Sequence, residues 1–205
     1  MSGAIISGAI MSGASLDVTH PGFADPVRDS QACFRAVLDA MAQPGRLLTV
    51  PAAMDPPPML DTATAAVLLT LADADTPLWL DKAASAARHW IAFHCGAPAA
   101  TAGSAALALA LGPVRLDTFP RGTDNAPELG ATIILQVAAL ARGVAYTLSG
   151  PGLASPAVLA VVGLPDSFIA EWAANRALFP RGVDLILCAG NRVAALPRTV
   201  RIEAA

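Results

Sequence analysis

The run Thr132–Val137, TIILQV, is β-branched and apolar apart from Gln136, with turn-forming residues ahead of it. That pattern belongs to a strand covered on both faces, and so to a central place in a sheet. A chain with such a strand must supply two further layers to cover it. The turn before it, FPRGTDNAPELG, gathers Arg121, Asp124, Asn125 and Glu128 in a sequence with only 14% charged residues. Polar groups concentrated in a loop beside a rigid strand are suited to specific recognition of a small molecule or of another protein.

Helical periodicity marks four segments. Val27–Gln43 carries Phe34, Val37, Leu38 and Met41 at helical spacing and stops at Pro44-Gly45. Thr62–Ala74 is rich in Ala and Leu with almost no polar face, as expected of a helix buried between layers. Lys82–His94 presents Trp90, Ile91 and Phe93, and Asp166–Leu178 presents Phe168, Ile169, Trp172 and Leu178, with Asp166 as the expected N-cap. Strands are expected at Arg46–Val50, Leu78–Leu80, Ala105–Leu111 and Val158–Val162. Thr132–Ala138 and Val144–Leu148 are expected to pair as a hairpin around Arg142-Gly143. Asp184–Cys188, Arg192–Leu196 and Thr199–Ile202 are expected to form one C-terminal antiparallel unit. The fold class that follows is α/β, a mixed sheet flanked by helices in three layers.

A length of 205 residues suits one large domain, and no linker-like change of composition divides residues 23–205. The opening repeats SGAI, SGAI, SGAS without a basic segment or a long apolar core, so residues 1–22 read as a disordered, low-complexity extension. Hydrophobic residues make up 55% of the chain and mean hydropathy is +0.55. Part of that surplus is alanine, and part is apolar surface available for a subunit contact. Net charge is -3, no basic tract exists and aromatic content is 5%, which argues against nucleic acid as a partner. No apolar stretch approaches the roughly 18–20 residues of a membrane helix. Three widely spaced cysteines, Cys33, Cys95 and Cys188, fit reduced thiols in a cytoplasm.

Residue chemistry excludes more than it assigns. His89 and His94 are five apart, Cys95 adjoins His94, and no third ligand follows at metal spacing, so no metal site is expected. Ser149-Gly150-Pro151-Gly152 matches neither a nucleophile elbow nor a phosphate loop, and Pro151 removes a backbone donor. It reads as a turn. The chain has a single lysine, Lys82, at the start of an expected exposed helix, a poor position for a Schiff-base amine. No catalytic residue and no cofactor are expected. Arg121, Arg181 and Arg198 lie in or beside turns, where each suits a bidentate phosphate or carboxylate contact or an ion pair with Asp124, Glu128 or Asp184. FPRGTD at Phe119–Asp124 recurs as FPRGVD at Phe179–Asp184, each at the start of a strand. So short an echo reads first as shared turn chemistry.

Several segments together resemble one family. PVRDSQACFRAVLDAMAQPG at Pro26–Gly45, LLTLADADTPLWL at Leu68–Leu80, PELGATIILQVAAL at Pro127–Leu140, LSGPGLA at Leu148–Ala154 and FPRGVDLILCAGNRVAALPRT at Phe179–Thr199 are similar in order and spacing to the H subunit of the bacterial carbon-phosphorus lyase system, the PhnH family. The resemblance implies a fold like that of pyridoxal-phosphate-dependent transferases without the cofactor lysine. It also implies self-association as a homodimer and membership of a cytoplasmic core complex with G, I and J type subunits. In that scheme the H subunit is required beside the I subunit when methylphosphonate displaces adenine from ATP to give ribose 1-methylphosphonate 5-triphosphate. Radical cleavage belongs to the J subunit. For this chain the resemblance leaves two readings: an accessory subunit, or one that itself binds nucleotide or phosphonate. Arg121, Asp124, Glu128 and Arg181 are the residues expected to contact substrate or partner.

Overall fold

The computed structural model describes residues 20–205. Of the expected N-terminal extension, residues 1–19 lie outside the described residues. His20–Gly22 lie within them, and the His20 carbonyl accepts a hydrogen bond from Trp90 Nε1 at 2.8 Å.

Among the described residues four α-helices form: α1 (Pro26–Ala42), α2 (Thr62–Leu71), α3 (Arg88–Cys95) and α4 (Phe168–Arg176). Asp25 caps α1 by accepting the Arg28 N–H, and the proline at its first turn needs no donor there. α2 is almost wholly buried, as its lack of a polar face requires. The expected helix at Lys82 begins instead as a 3-10 turn, Ala83–Ala87, and becomes α3 only at Arg88. Asp81 explains the tight start, because its carboxylate accepts from Ala84 N at 2.6 Å and from Leu111 N at 2.8 Å. Asp166 is not the cap of α4. Ser167 holds the N-cap position, and its hydroxyl donates to Glu171 rather than closing onto the helix backbone.

The strands are β1 (Leu48–Thr49), β2 (Leu78–Leu80), β3 (Leu107–Ala110), β4 (Thr132–Gln136), β5 (Ala139–Ser149), β6 (Ala157–Val162), β7 (Asp184–Ala189), β8 (Arg192–Leu196) and β9 (Arg201–Ala204). Six form a mixed sheet in the order β1-β8-β7-β4-β3-β2, in which β2, β3, β4 and β7 run parallel and β8 and β1 close one side antiparallel. The expected central strand, β4, lies between β3 and β7, and Ile133, Ile134 and Leu135 are buried.

Two expected pairings do not form. β4 and β5 belong to different sheets: Val137 N donates to Cys188 O beside β7, and the next amide, Ala138 N, donates to Val162 O beside β6. Arg142-Gly143 is therefore not a hairpin turn. It is an irregularity inside β5, with Ala141 and Gly143 at positive φ, where the register with β6 shifts. β9 also leaves the expected C-terminal unit. It pairs with β5 in a second sheet, β6-β5-β9, while β7 and β8 remain a hairpin in the first.

The result is three layers. One face of the large sheet, through Leu107, Leu109, Ile134, Ile186 and Val193, packs on α1, α2 and α3. The other, through Ile133, Leu135, Leu185, Leu187 and Leu196, packs on the three-stranded sheet and α4. On α1 the core residues are Cys33, Val37 and Ala40. Phe34 and Leu38, which share the helical spacing of Val37, are about half exposed, at 46% and 51%.

Candidate functional site

The turns FPRGTD and FPRGVD stand side by side because they lead into the parallel neighbours β4 and β7. Gly182 N donates to Arg121 O at 2.8 Å, so one turn is stitched to the other, and Ala131 N donates to Pro120 O at 2.8 Å within the first. They are not copies in detail. Phe119 is buried edge-on against Trp79, with ring centroids 5.2 Å apart, whereas Phe179 is 65% exposed and precedes the cis proline Pro180.

Beyond Arg121 the chain folds back tightly. Thr123 and Ala126 exchange backbone hydrogen bonds, the Thr123 hydroxyl accepts from Ala126 N at 3.0 Å, and Asp124-Asn125 form the exposed tip. Gly122 makes this possible: its φ is +70°, and a Cβ there would lie 2.8 Å from the Pro127 carbonyl oxygen. A short 3-10 turn, Pro127–Leu129, then leaves Glu128 in solvent.

The structure brings three of the four expected site residues together. Arg181 Nε lies 3.0 Å from Asp124 Oδ1, close enough for an ion pair though not aligned as a hydrogen bond. Both side chains are substantially exposed, so the pair contributes little to stability. Arg121 and Arg181 line one open cleft of about 440 Å³ with Phe119, Gly122 and Leu178. Among the described residues Arg121 has no side-chain partner, which leaves its guanidinium available. Glu128 is not part of this cleft.

Arg198, the third arginine, is structural. Its Nε donates to both Asp184 carboxylate oxygens, and its Nη1 donates to Pro127 O at 2.7 Å, tying the head of β7 to the turn before β4.

Arg121 also borders a cavity of about 230 Å³ that Arg115, Asp117, Glu171 and Asn175 line together with Leu116, Ala174 and Leu178. Arg115 holds Asp117 with two hydrogen bonds, of 3.1 and 2.6 Å, which lower the carboxyl pKa and raise the guanidinium pKa. Sequence reasoning missed Arg115, Asp117 and Glu171. The available signal was the Arg-x-Asp spacing between Pro113 and Pro120.

These features lie at the amino ends of the parallel strands. In open α/β sheets the usual ligand crevice is at the carboxyl ends. Here the chain occupies that end of β4 and β7 itself. Gln136 accepts from Asp61 N at 2.8 Å and donates to Met59 O at 3.1 Å, and the Asp61 carboxylate accepts from Gly190 N at 2.7 Å. No cluster of His, Cys, Asp and Glu able to hold a metal occurs among the described residues, and no helix among them is long and apolar enough to cross a membrane.

Comparison with known proteins decides the family. The model for "Bacterial phosphonate metabolism protein (PhnH)" matches residues 21–203. The chain belongs to the PhnH family. A Rhizobium meliloti (strain 1021) protein named alpha-D-ribose 1-methylphosphonate 5-triphosphate synthase subunit PhnH is 42% identical over 196 residues, 93% of this chain and 98% of the relative. A Stutzerimonas stutzeri protein named as a C-P lyase subunit, HtxG, is 34% identical over 175 residues, 84% of this chain and 85% of the relative. The PhnH match begins one residue after His20 and runs to Glu203 in β9, so it takes in both sheets and the twin turns.

Proposed function

We propose that this chain is a subunit of the carbon-phosphorus lyase core complex used in phosphonate catabolism. It works in the cytoplasm beside an I type subunit in making ribose 1-methylphosphonate 5-triphosphate from ATP and methylphosphonate. The observation that carries this reading is the 42% identity to a named subunit of that synthase across 98% of the relative's length. The role is accessory, with G, I and J type subunits as partners. The resemblance to pyridoxal-phosphate-dependent transferases is supported by the mixed, largely parallel sheet. The lone lysine, Lys82, is exposed beside a 3-10 turn, a poor place for a cofactor amine. A homodimer is supported by β6, whose outer edge pairs with no strand among the described residues and whose Val158 is 65% exposed.

Co-expression with G, I and J type subunits from the same bacterium tests the reading. The chain is expected to elute with them on gel filtration. Elution of a free chain beside an otherwise complete assembly would overturn it.

A second reading is that the chain itself grips nucleotide or phosphonate. It is favoured by the shared cleft of Arg121 and Arg181, since paired guanidinium groups suit phosphoryl or phosphonyl oxygens. Calorimetry of the isolated chain with ATP and with methylphosphonate separates the two. Saturable binding abolished by Arg121→Ala would replace the accessory role with a substrate-binding one.

A further inference from the structure

Helix α1 has two apolar faces, and its own fold uses one. Cys33, Val37 and Ala40 are buried against the body, whereas Val27, Phe34 and Leu38 are 66%, 46% and 51% exposed. Val27, Phe34 and Leu38, with the polar Gln31 between the first two, follow one another at steps of four and three, the spacing of a coiled-coil seam, and Met41 ends the row by packing on the body. Along the helix, Val27 to Leu38 covers about 16 Å at 1.5 Å per residue. Such a row is the complement of an apolar stripe on another helix.

The flank of the seam gives the partner's charge. Arg28 and Arg35 each follow a seam residue by one position, so both stand on the solvent side of the row. Both are exposed, and neither has a side-chain partner among the described residues. Asp39 stands on the same side near the end of the helix, leaving that flank with a basic excess. A second copy of the chain is a poor occupant. In an antiparallel pair across a twofold axis, the arginine flank of one α1 would meet the same flank of the other.

We propose that the Val27–Phe34–Leu38 face of α1 docks an amphipathic helix of a different subunit. That helix lays an apolar row on the seam and sets Asp or Glu side chains against Arg28 and Arg35. This rests on the subunit role proposed above. It assigns the surplus apolar surface of the chain to a partner of defined chemistry.

The test uses the chain co-expressed with G, I and J type subunits. Leu38→Cys in a Cys95→Ala background places one accessible thiol on the seam, since Cys33 and Cys188 are buried. Maleimide is expected to label it rapidly in the free chain and at least about tenfold more slowly in the assembly. Arg28→Glu with Arg35→Glu is expected to weaken assembly about tenfold at low salt, with a smaller loss at high salt. Equal labelling in the free chain and an intact assembly would overturn the docking while leaving the subunit role standing. Failure of the parent chain to assemble would remove the subunit role and the docking with it. Protection in the free chain that grows with concentration would identify a second copy as the occupant, and protection lost on deleting residues 1–19 would identify the chain's own N-terminus. Either result overturns the proposal, as does protection in the assembly with no effect of the charge reversals.

Discussion

Arg198 and Asp184 form a fork-on-fork pair at the head of β7, with their side chains only 13% and 14% exposed. The carboxylate also accepts from Arg198 N, so the pair closes a ring with the backbone. The remaining guanidinium nitrogen, Nη1, donates to Pro127 O.

Removing one partner strands the other charge in a poorly hydrated site. Arg198→Ala is expected to destabilise the fold by about 3 kcal/mol, read as a fall in the urea midpoint without a change of slope. Asp184→Ala should cost a similar amount. Removing both together should cost clearly less than the sum of the two, because the second change deletes the group the first left unpaired.

Gly130 has an ordinary φ, so a larger residue fails there for want of space. A Cβ would run into the Gly182 carbonyl oxygen and lie 2.7 Å from Arg198 Nη1. Gly130→Ala is expected to cost about 1–3 kcal/mol and to loosen the stitching between the twin turns. Faster amide exchange at Gly182 would report the second effect.

Arg121→Ala should behave in the opposite way. The side chain has no partner to lose, so stability should move by less than about 0.5 kcal/mol while partner assembly or ligand binding falls. Arg181→Ala breaks an exposed ion pair with Asp124 and should cost no more than about 1 kcal/mol. Thermal melts alongside gel filtration of the assembly distinguish these variants from a folding defect.

The thiols give the pH prediction. Burial pushes the Cys188 thiol above its ordinary value of 9.0, and it raises Cys33 and Cys95 in the same direction. Because the folded values are raised, the stability these groups contribute is fully present below about 9. It is lost as pH climbs through the folded values, since only the unfolded chain then releases the protons readily. Native protein at pH 8 is expected to react slowly with a thiol reagent, and at Cys95 alone. All three should react once urea is added. Fast native reaction at Cys188 would contradict its burial.

The sequence disclosed the units of the fold better than their partnerships. β4 was legible because an apolar run with a single polar residue has few other homes. Its break from β5 was not, because Arg142-Gly143 offers turn chemistry that serves a hairpin and a bulge equally. Only the long-range bonds of Val137 and Ala138 separate the two sheets. Helix α1 misled for a related reason. Two apolar rows share its surface, and periodicity finds both without saying which faces inward. At the site, Arg121 and Arg181 were found as turn residues, and the echo around them read as shared turn chemistry. Their convergence required knowing that β4 and β7 are neighbours.

Gln136 sits at the strand end where open α/β sheets ordinarily leave a ligand crevice, and it fastens Met59 and Asp61 there. With that end held by the chain's own backbone, the two arginines of the twin turns open instead at the opposite rim of the sheet. Swapping Gln136 for a residue unable to hold both backbone groups would release the Met59–Asp61 segment from the carboxyl end of β4, leaving the Asp61 bond to Gly190 as its remaining tie there.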